Sequence, residues 1–305
     1  MLISDRDGRH PFEQNGGIMD RIDRDQRRKV EETIQNFVID SSGNSLRDLA
    51  NSKAWAAPLI GFSKGDDPLY LRFKEVVGLY HWTPLEIFHL TFPEEAATAE
   101  ELTVISWILP QTEETKAANR LETLVPSEKW ARSRIFGEEF NVKLRRHLVS
   151  FLKESRILAV APMLSPLWER RASERFVFSS TWSERHAAFA SGLGTFGLCN
   201  GLITLLGKAM RCGSVVAHVV IPPTERPYQS HQDYCLFHAK GVCKKCIDRC
   251  PAGAITEAGH DKRKCYDYMH PMTDEFVQSL YEFKGYGCGL CQTGVPCESR
   301  NPVGS

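Results

Sequence analysis

The residues best placed to do chemistry lie in the last quarter of the chain, in Cys243-Lys-Lys-Cys246-Ile-Asp-Arg-Cys250-Pro251. Two cysteines three apart, then a third before proline, is a spacing that wraps an iron–sulfur cubane. The first two thiolates hold one cluster, and the cysteine before proline reaches to a second. Cys235, Cys265, Cys288, Cys291 and Cys297 complete a set of eight cysteines within 63 residues. Eight thiolates satisfy two [4Fe–4S] clusters.

A competing account is one structural zinc, with Cys243, Cys246, Cys288 and Cys291 as a four-thiolate tetrahedron. That would leave Cys235, Cys250, Cys265 and Cys297 without a task. Ligands cross over between the two runs in ferredoxin-type modules. Resemblance to such a module therefore implies Cys235, Cys243, Cys246 and Cys297 for one cluster, and Cys250, Cys265, Cys288 and Cys291 for the other. A regular run would place its first cysteine at position 240, where this chain has Lys240. Either Cys235 arrives on an enlarged loop or His238 ligates instead. The second run is also irregular, with five residues between Cys291 and Cys297 and Pro296 ahead of the cysteine. Cys199 and Cys212 fall outside the set and read as small buried hydrophobes.

Which elements position these residues is bounded by composition. The chain has 305 residues, 38 basic against 38 acidic, so no overall field draws nucleic acid or an anionic membrane. No apolar run approaches the ~20 residues of a membrane span. Met1 to His10 lacks the apolar core of a secretory leader, and the Arg27-Arg28 pair is followed by charged residues. A cytoplasmic location is expected. Ten cysteines at ligand spacings then argue against disulfides.

Residues 1–18 read as a polar tail. Helical periodicity covers Asp20 to Ile39, Leu69 to Tyr80, Ser127 to Glu154 and Thr181 to Ser191. Strands are expected at Leu102 to Leu109, Ile157 to Ala161, Phe176 to Ser179 and Ser214 to Ile221. After Thr224 the composition turns to Cys, Gly and Lys. This divides the chain into a tail and helix (1–40), an α/β or α+β body (41–224) and a small cluster-binding module (225–305).

The body's informative stretch runs from Ser183 to Thr204. It contains Gly192-x-Gly194-x-x-Gly197, the dinucleotide-binding pattern, but here the glycines end a helix instead of opening one. No acidic residue follows about 20 positions on to take a ribose hydroxyl. The glycines would serve as a helix C-cap with tight turns, or let backbone approach a flat ligand closely. Together, Ala190-Ser-Gly-Leu-Gly-Thr-Phe-Gly197, Asn200-Gly-Leu-Ile-Thr204, the Gly213-Ser-Val-Val216 strand and the cysteine module resemble the corrinoid-dependent reductases. These are the epoxyqueuosine reductases and reductive dehalogenases. Lys264-Cys265-Tyr266 and Gly287-Cys288-Gly-Leu-Cys291 are similar to the second half of that family's module.

The resemblance implies a nitroreductase-like body that binds cobalamin, joined to a ferredoxin-like module carrying two [4Fe–4S] clusters. It places Gly192, Leu193, Gly194, Gly197, Asn200 and Gly201 at the corrinoid. Phe178 stands where epoxyqueuosine reductases carry a proton-donating Asp, which leaves His186 as the titratable candidate for a catalytic proton. Glu184 and Arg185 match family positions, and an exposed ion pair is the simpler expectation for them. The implied activity is reduction of a small molecule by cobalt supplied from a ferredoxin or flavodoxin. Alternatively, the chain is an electron-transfer partner that reactivates another corrinoid protein. A tRNA substrate ranks lower, with Arg134, Arg145, Arg146, Arg170 and Arg171 as its candidate basic face.

Overall fold

The computed structural model describes residues 13–172 and 177–304, with side chains from Asp25 on. The expected tail up to residue 12, and Phe176 at the start of an expected strand, lie outside the described residues. In chain order the elements begin with α1 (Glu13–Asp40), β1 (Leu59–Lys64), α2 (Pro68–Val77), α3 (Pro84–Thr91) and β2 (Leu102–Pro110). They continue with α4 (Glu113–Leu121), α5 (Glu128–Glu154), β3 (Ala159–Val160), β4 (Arg170–Arg171) and β5 (Ser179–Ser180). Next come α6 (Glu184–Ala190), β6 (Gly194–Phe196), β7 (Leu202–Thr204) and β8 (Met210–His218). The cysteine-rich part holds α7 (Leu236–Lys240), α8 (Lys245–Asp248), β9 (Ile255–Thr256), β10 (Gly259–His260) and α9 (Lys262–Tyr281).

The main sheet has the order β1-β2-β8-β3, and every pairing in it is antiparallel. Of the two body types expected, this is the α+β one. β2 is buried along its whole length because both faces are covered. Its side chains alternate between two cores, as a pleated strand requires. Leu102, Val104 and Ile108 join Trp182, Phe189 and the Phe73 and Phe88 rings, on the side of α2, α3 and α6. Ile105, Trp107 and Leu109 join Val30, Ile34, Phe140 and Leu148 from α1 and α5. The first of these cores runs on without a break to Cys235, Cys246 and Cys297.

β8 pairs with β2 from Pro110↔Met210 to Leu102↔His218, four residues earlier than its β-branched run suggests. Beyond His218 the chain leaves the ladder, with Val219 O accepting from Thr103 Oγ1 and Ile221 N donating to it. α1 also begins before the expected Asp20, since its first turns are polar and carry no apolar periodicity. Among the described residues, no helix is long and apolar enough to cross a membrane.

Candidate iron–sulfur centre

Cys235 caps α7 at its N-terminus, and Gly241, in the left-handed region at φ 69°, turns the chain back toward Cys243. α8 then carries Cys246 inward, and Cys250 follows on the same turn, its N–H donating to Ile247 O. Between them Arg249 reaches back to the body. Its guanidinium donates to Leu290 O and Thr293 O at 3.2 and 3.0 Å, and to Glu122 O and Asn119 O at 2.9 and 3.1 Å. One side chain thus ties three segments together: the Cys246–Cys250 turn, the Cys288–Cys291 turn and the end of α4. Gly289 is required in the second turn. A Cβ there would stand 1.9 Å from the Trp130 ring.

The last cysteine arrives on a docked backbone. Lys208 N donates to Cys297 O at 2.9 Å and Ala209 N to Glu298 O at 3.2 Å. Gly207 lies so close beneath that a Cβ would meet Glu298 O at 2.1 Å. The Glu298 carboxylate in turn accepts from Arg120.

The eight cysteines fall into two neighbouring groups. Cys235, Cys243, Cys246 and Cys297 line one apolar cavity with Lys208, Leu198 and Ile203. Cys265 and Cys288 lie near each other and near Cys250, and Cys291 lies near Cys288 and Cys199. Among the described residues, no group of three or more His, Cys, Asp or Glu side chains is gathered tightly enough to hold a metal ion as it stands. His238 points elsewhere, to the Gln232 side chain at 3.1 Å.

Two buried groups beside them were not foreseen. Cys199 is buried as expected, but it is no inert hydrophobe. Its thiol lies near those of Cys246 and Cys291 and accepts from Lys208 Nζ at 3.3 Å. Lys208 is 2 % exposed. Burial works against its charge, yet the surrounding Cys199, Cys297, Cys291 and Cys246 sulfurs hold the ammonium above its ordinary range. An unpaired buried ammonium costs several kcal/mol, so this site is built to contain negative sulfur. Cys212 does behave as a small hydrophobe, and burial pushes its thiol up to about 12.

The residues expected around a corrinoid are placed differently. Gly192 and Gly194 are at φ 78° and 159°, and their open sides are filled by the chain itself. A Cβ on Gly192 would meet Glu225 O at 2.6 Å, and one on Gly194 would meet Ile203 O at 2.2 Å. Gly197 faces the Ile203 side chain and Gly201 the Cys199 sulfur. Leu193 is buried in the core. Asn200, at φ 57°, closes the β6–β7 turn, and its carbonyl accepts from Arg185. These glycines are explained by tight backbone packing, and they do not form an open cradle.

His186 is half-buried against Phe73 and Phe196, with Nδ1 2.8 Å from Ser183 Oγ. Burial, aided by His81 and Arg185, pushes it from 6.5 down to about 3. A neutral imidazole has no imidazolium proton to give, so the geometry favours a packing role. The folded chain then binds fewer protons at His186 than the unfolded chain between about pH 3 and 6.5. Stability contributed there is present above 6.5 and is lost as pH falls. His186→Phe is expected to flatten the acid limb of stability followed by urea unfolding. An unchanged slope would assign that limb to other histidines, such as buried His81.

Glu184 and Arg185 are not an exposed pair. Glu184 is buried against Arg145 at 3.0 Å and also accepts from Ser214 Oγ. This takes Arg145 out of the expected basic face. Arg134 remains, stacked over Tyr286 at 4.8 Å and held down to about 10 chiefly by neighbouring Arg211. Arg170 and Arg171 are exposed on β4. Phe178 packs against Tyr266 at 5.0 Å, beneath the Arg263 guanidinium.

No family model matches the chain. It is 32 % identical over 120 residues to the epoxyqueuosine reductase of Bacillus anthracis, covering 37 % of this chain and 29 % of that protein. It is 31 % identical over 133 residues to the epoxyqueuosine reductase of Leadbetterella byssophila, covering 41 % of this chain and 40 % of the relative. The chain thus spans well under half the length of the curated relatives it matches. A crystal structure of epoxyqueuosine reductase with an epoxyqueuosine-modified tRNA stem loop superimposes with a TM-score of 0.50 at 18 % identity. That superposition covers 90 % of this chain and 66 % of the solved one, and it shows a shared mixed α/β fold. In the matched part, the chain is similar to the epoxyqueuosine reductases, the oxidoreductases that its glycine and cysteine motifs resemble.

Proposed function

We propose that this chain is an iron–sulfur-dependent reductase whose eight cysteines hold two [4Fe–4S] clusters in a ferredoxin-like module (225–305) on a nitroreductase-like body (41–224). The carrying observation is the donor set itself. Four thiols line one apolar cavity, four more lie nearby, and a buried lysine hydrogen-bonded to the Cys199 sulfur stands beside them. The clusters would supply one-electron transfer over a short path, taking electrons from a ferredoxin or flavodoxin. The protein's part is to exclude water around the sulfurs and to fix their spacing through Arg249 and the Lys208–Cys297 docking.

The resemblance implies a corrinoid as the electron acceptor. The glycines assigned to it do not fit as a cradle, because backbone carbonyls occupy the open sides of Gly192 and Gly194, and side chains stand at those of Gly197 and Gly201. No step is therefore assigned to cobalt. The same observation favours the second reading, an electron-transfer protein that reduces another corrinoid protein.

For substrate class, the named relatives change the order expected from sequence. Epoxyqueuosine reductase has been solved with a modified tRNA stem loop, and nothing among these relatives supports a small-molecule substrate. Under the reductase reading, a modified tRNA moves ahead. Arg134, Arg170 and Arg211, with Tyr286, are the basic and aromatic groups that would face it.

Anaerobic reconstitution of the full chain with iron, sulfide and cobalamin tests these readings by metal analysis and EPR. About eight iron with one cobalt retained supports the corrinoid reductase. The same iron with no cobalt supports the electron carrier. Zinc in place of iron removes both.

A further inference from the structure

A ninth sulfur and a buried ammonium meet between the two cysteine groups, and neither is needed to complete eight ligands. The Cys199 thiol lies near Cys246 from one group and Cys291 from the other. Lys208 Nζ donates to Cys199 at 3.3 Å and also faces Cys297. The side chain is anchored at its root by the Lys208 N–H to Cys297 O bond of 2.9 Å. Gly201 leaves room for the pair, since a Cβ there would stand 3.3 Å from Cys199 Sγ and 3.8 Å from Lys208 Cδ. The Cys199, Cys297, Cys291 and Cys246 sulfurs are the groups that most favour its positive charge.

A cubane that accepts one electron gains one negative charge. An adjacent ammonium favours that reduced state, and N–H donation to the sulfurs acts in the same direction. Because the cavity is apolar and closed by protein, solvent screens this charge weakly. The surface lysines of the module, Lys244 and Lys245, are exposed and paired with Glu257 and Asp248, and they lack this leverage.

We propose that Lys208, held in place by Cys199, raises the reduction potential of the cluster bound by Cys235, Cys243, Cys246 and Cys297. Cys199 serves as a positioning residue and not as a ligand. The proposal rests on the two-cluster reading above: this cluster is easier to reduce with Lys208 in place than without it.

The test is redox titration of the full chain after iron and sulfide reconstitution, followed by EPR, together with iron counts. Wild type should carry about eight iron. Lys208→Met and Lys208→Gln should keep that iron and move one cluster's midpoint negative by at least a tenfold change in its reduction equilibrium, or ~59 mV for one electron. Lys208→Arg, which keeps a charge and donors, should stay nearer wild type. Cys199→Ala should keep all the iron and show a smaller shift of the same sign. Unmoved potentials at full iron, or equal movement of both clusters, would overturn the proposal. So would neutral variants that take up no iron while Cys199→Ala fills normally, since Lys208 would then be a counter-ion needed for assembly. Loss of about half the iron in Cys199→Ala would make Cys199 a ligand and overturn it as well. A wild-type chain that takes up no iron would instead refute the two-cluster reading itself.

Discussion

Cys246→Ser is expected to leave the chain with about four of about eight iron atoms and one surviving [4Fe–4S] signal. Cys246 is buried in the main core and lines the cavity shared with Cys235, Cys243 and Cys297. A serine oxygen there is a poor ligand for iron, which favours soft thiolate. The second group does not draw on Cys246, so its cluster should persist. Cys265→Ser should produce the mirror result, and the double variant should hold little or no iron. Cys212→Ser is the control, because that thiol contacts Met210 and no ligand. Iron and sulfide analysis with EPR on reduced samples reads all four variants. Full iron in Cys246→Ser, with iron lost in Cys199→Ser, would transfer the ligand role to Cys199.

Arg145→Met is expected to destabilise the fold by about 3–5 kcal/mol, the range for breaking a buried ion pair from one side. Arg145 projects from α5 and its side chain is 2 % exposed. It donates to Glu184 at 3.0 Å, to Glu138 at 3.1 Å and to Cys212 O at 3.2 Å. Removing it leaves the largely buried Glu184 beside β8 with Ser214 as its remaining hydrogen-bond partner among the described residues. Burial already pushes the Glu184 carboxyl above its ordinary range, against the pull of Arg145. The sign of the pH effect follows. A group that binds its proton more tightly when folded stabilises the fold as pH falls, so the variant should lose less at acidic pH than at neutral pH. Adding Glu184→Gln should recover part of the loss at neutral pH. Urea unfolding at two pH values measures both effects, and a deficit independent of pH would mean that Glu184 does not carry the uncompensated charge.

How legible these features were depended on how far apart in sequence their parts lie. The cysteine ligands announce themselves because Cys243, Cys246 and Cys250 sit on one turn. β2 was legible because an apolar run of strand length ends at Pro110. β1 was not, because Gly61 and Ser63 break its apolar pattern. The structure needs that glycine, since a Cβ would meet Ser191 O at 2.3 Å. α3 carried a signal in its capping residues, beyond apolar periodicity. Thr83 and Glu86 form a capping box, with Pro84 at the first helical position. α9 was hidden by Pro271 and by its place in a cysteine-rich segment. The Lys208–Cys199 contact has no sequence signature at all. It exists because the β6–β7 hairpin folds back, and the burial of a lysine becomes visible only once the sheet is built.

The backbone docking of Cys297 beneath Lys208 also carries a consequence in time. The first group's earliest ligand, Cys235, precedes its last by roughly 60 residues. A ribosome adding ~5–20 residues per second needs roughly 3–12 s to cover that interval. Three thiols of the group therefore emerge well before the segment that closes their cavity. During that interval they are open to oxidants and to competing metals such as zinc. Under the two-cluster reading, iron loading would be a late event, coupled to the return of the 294–299 segment onto the start of β8.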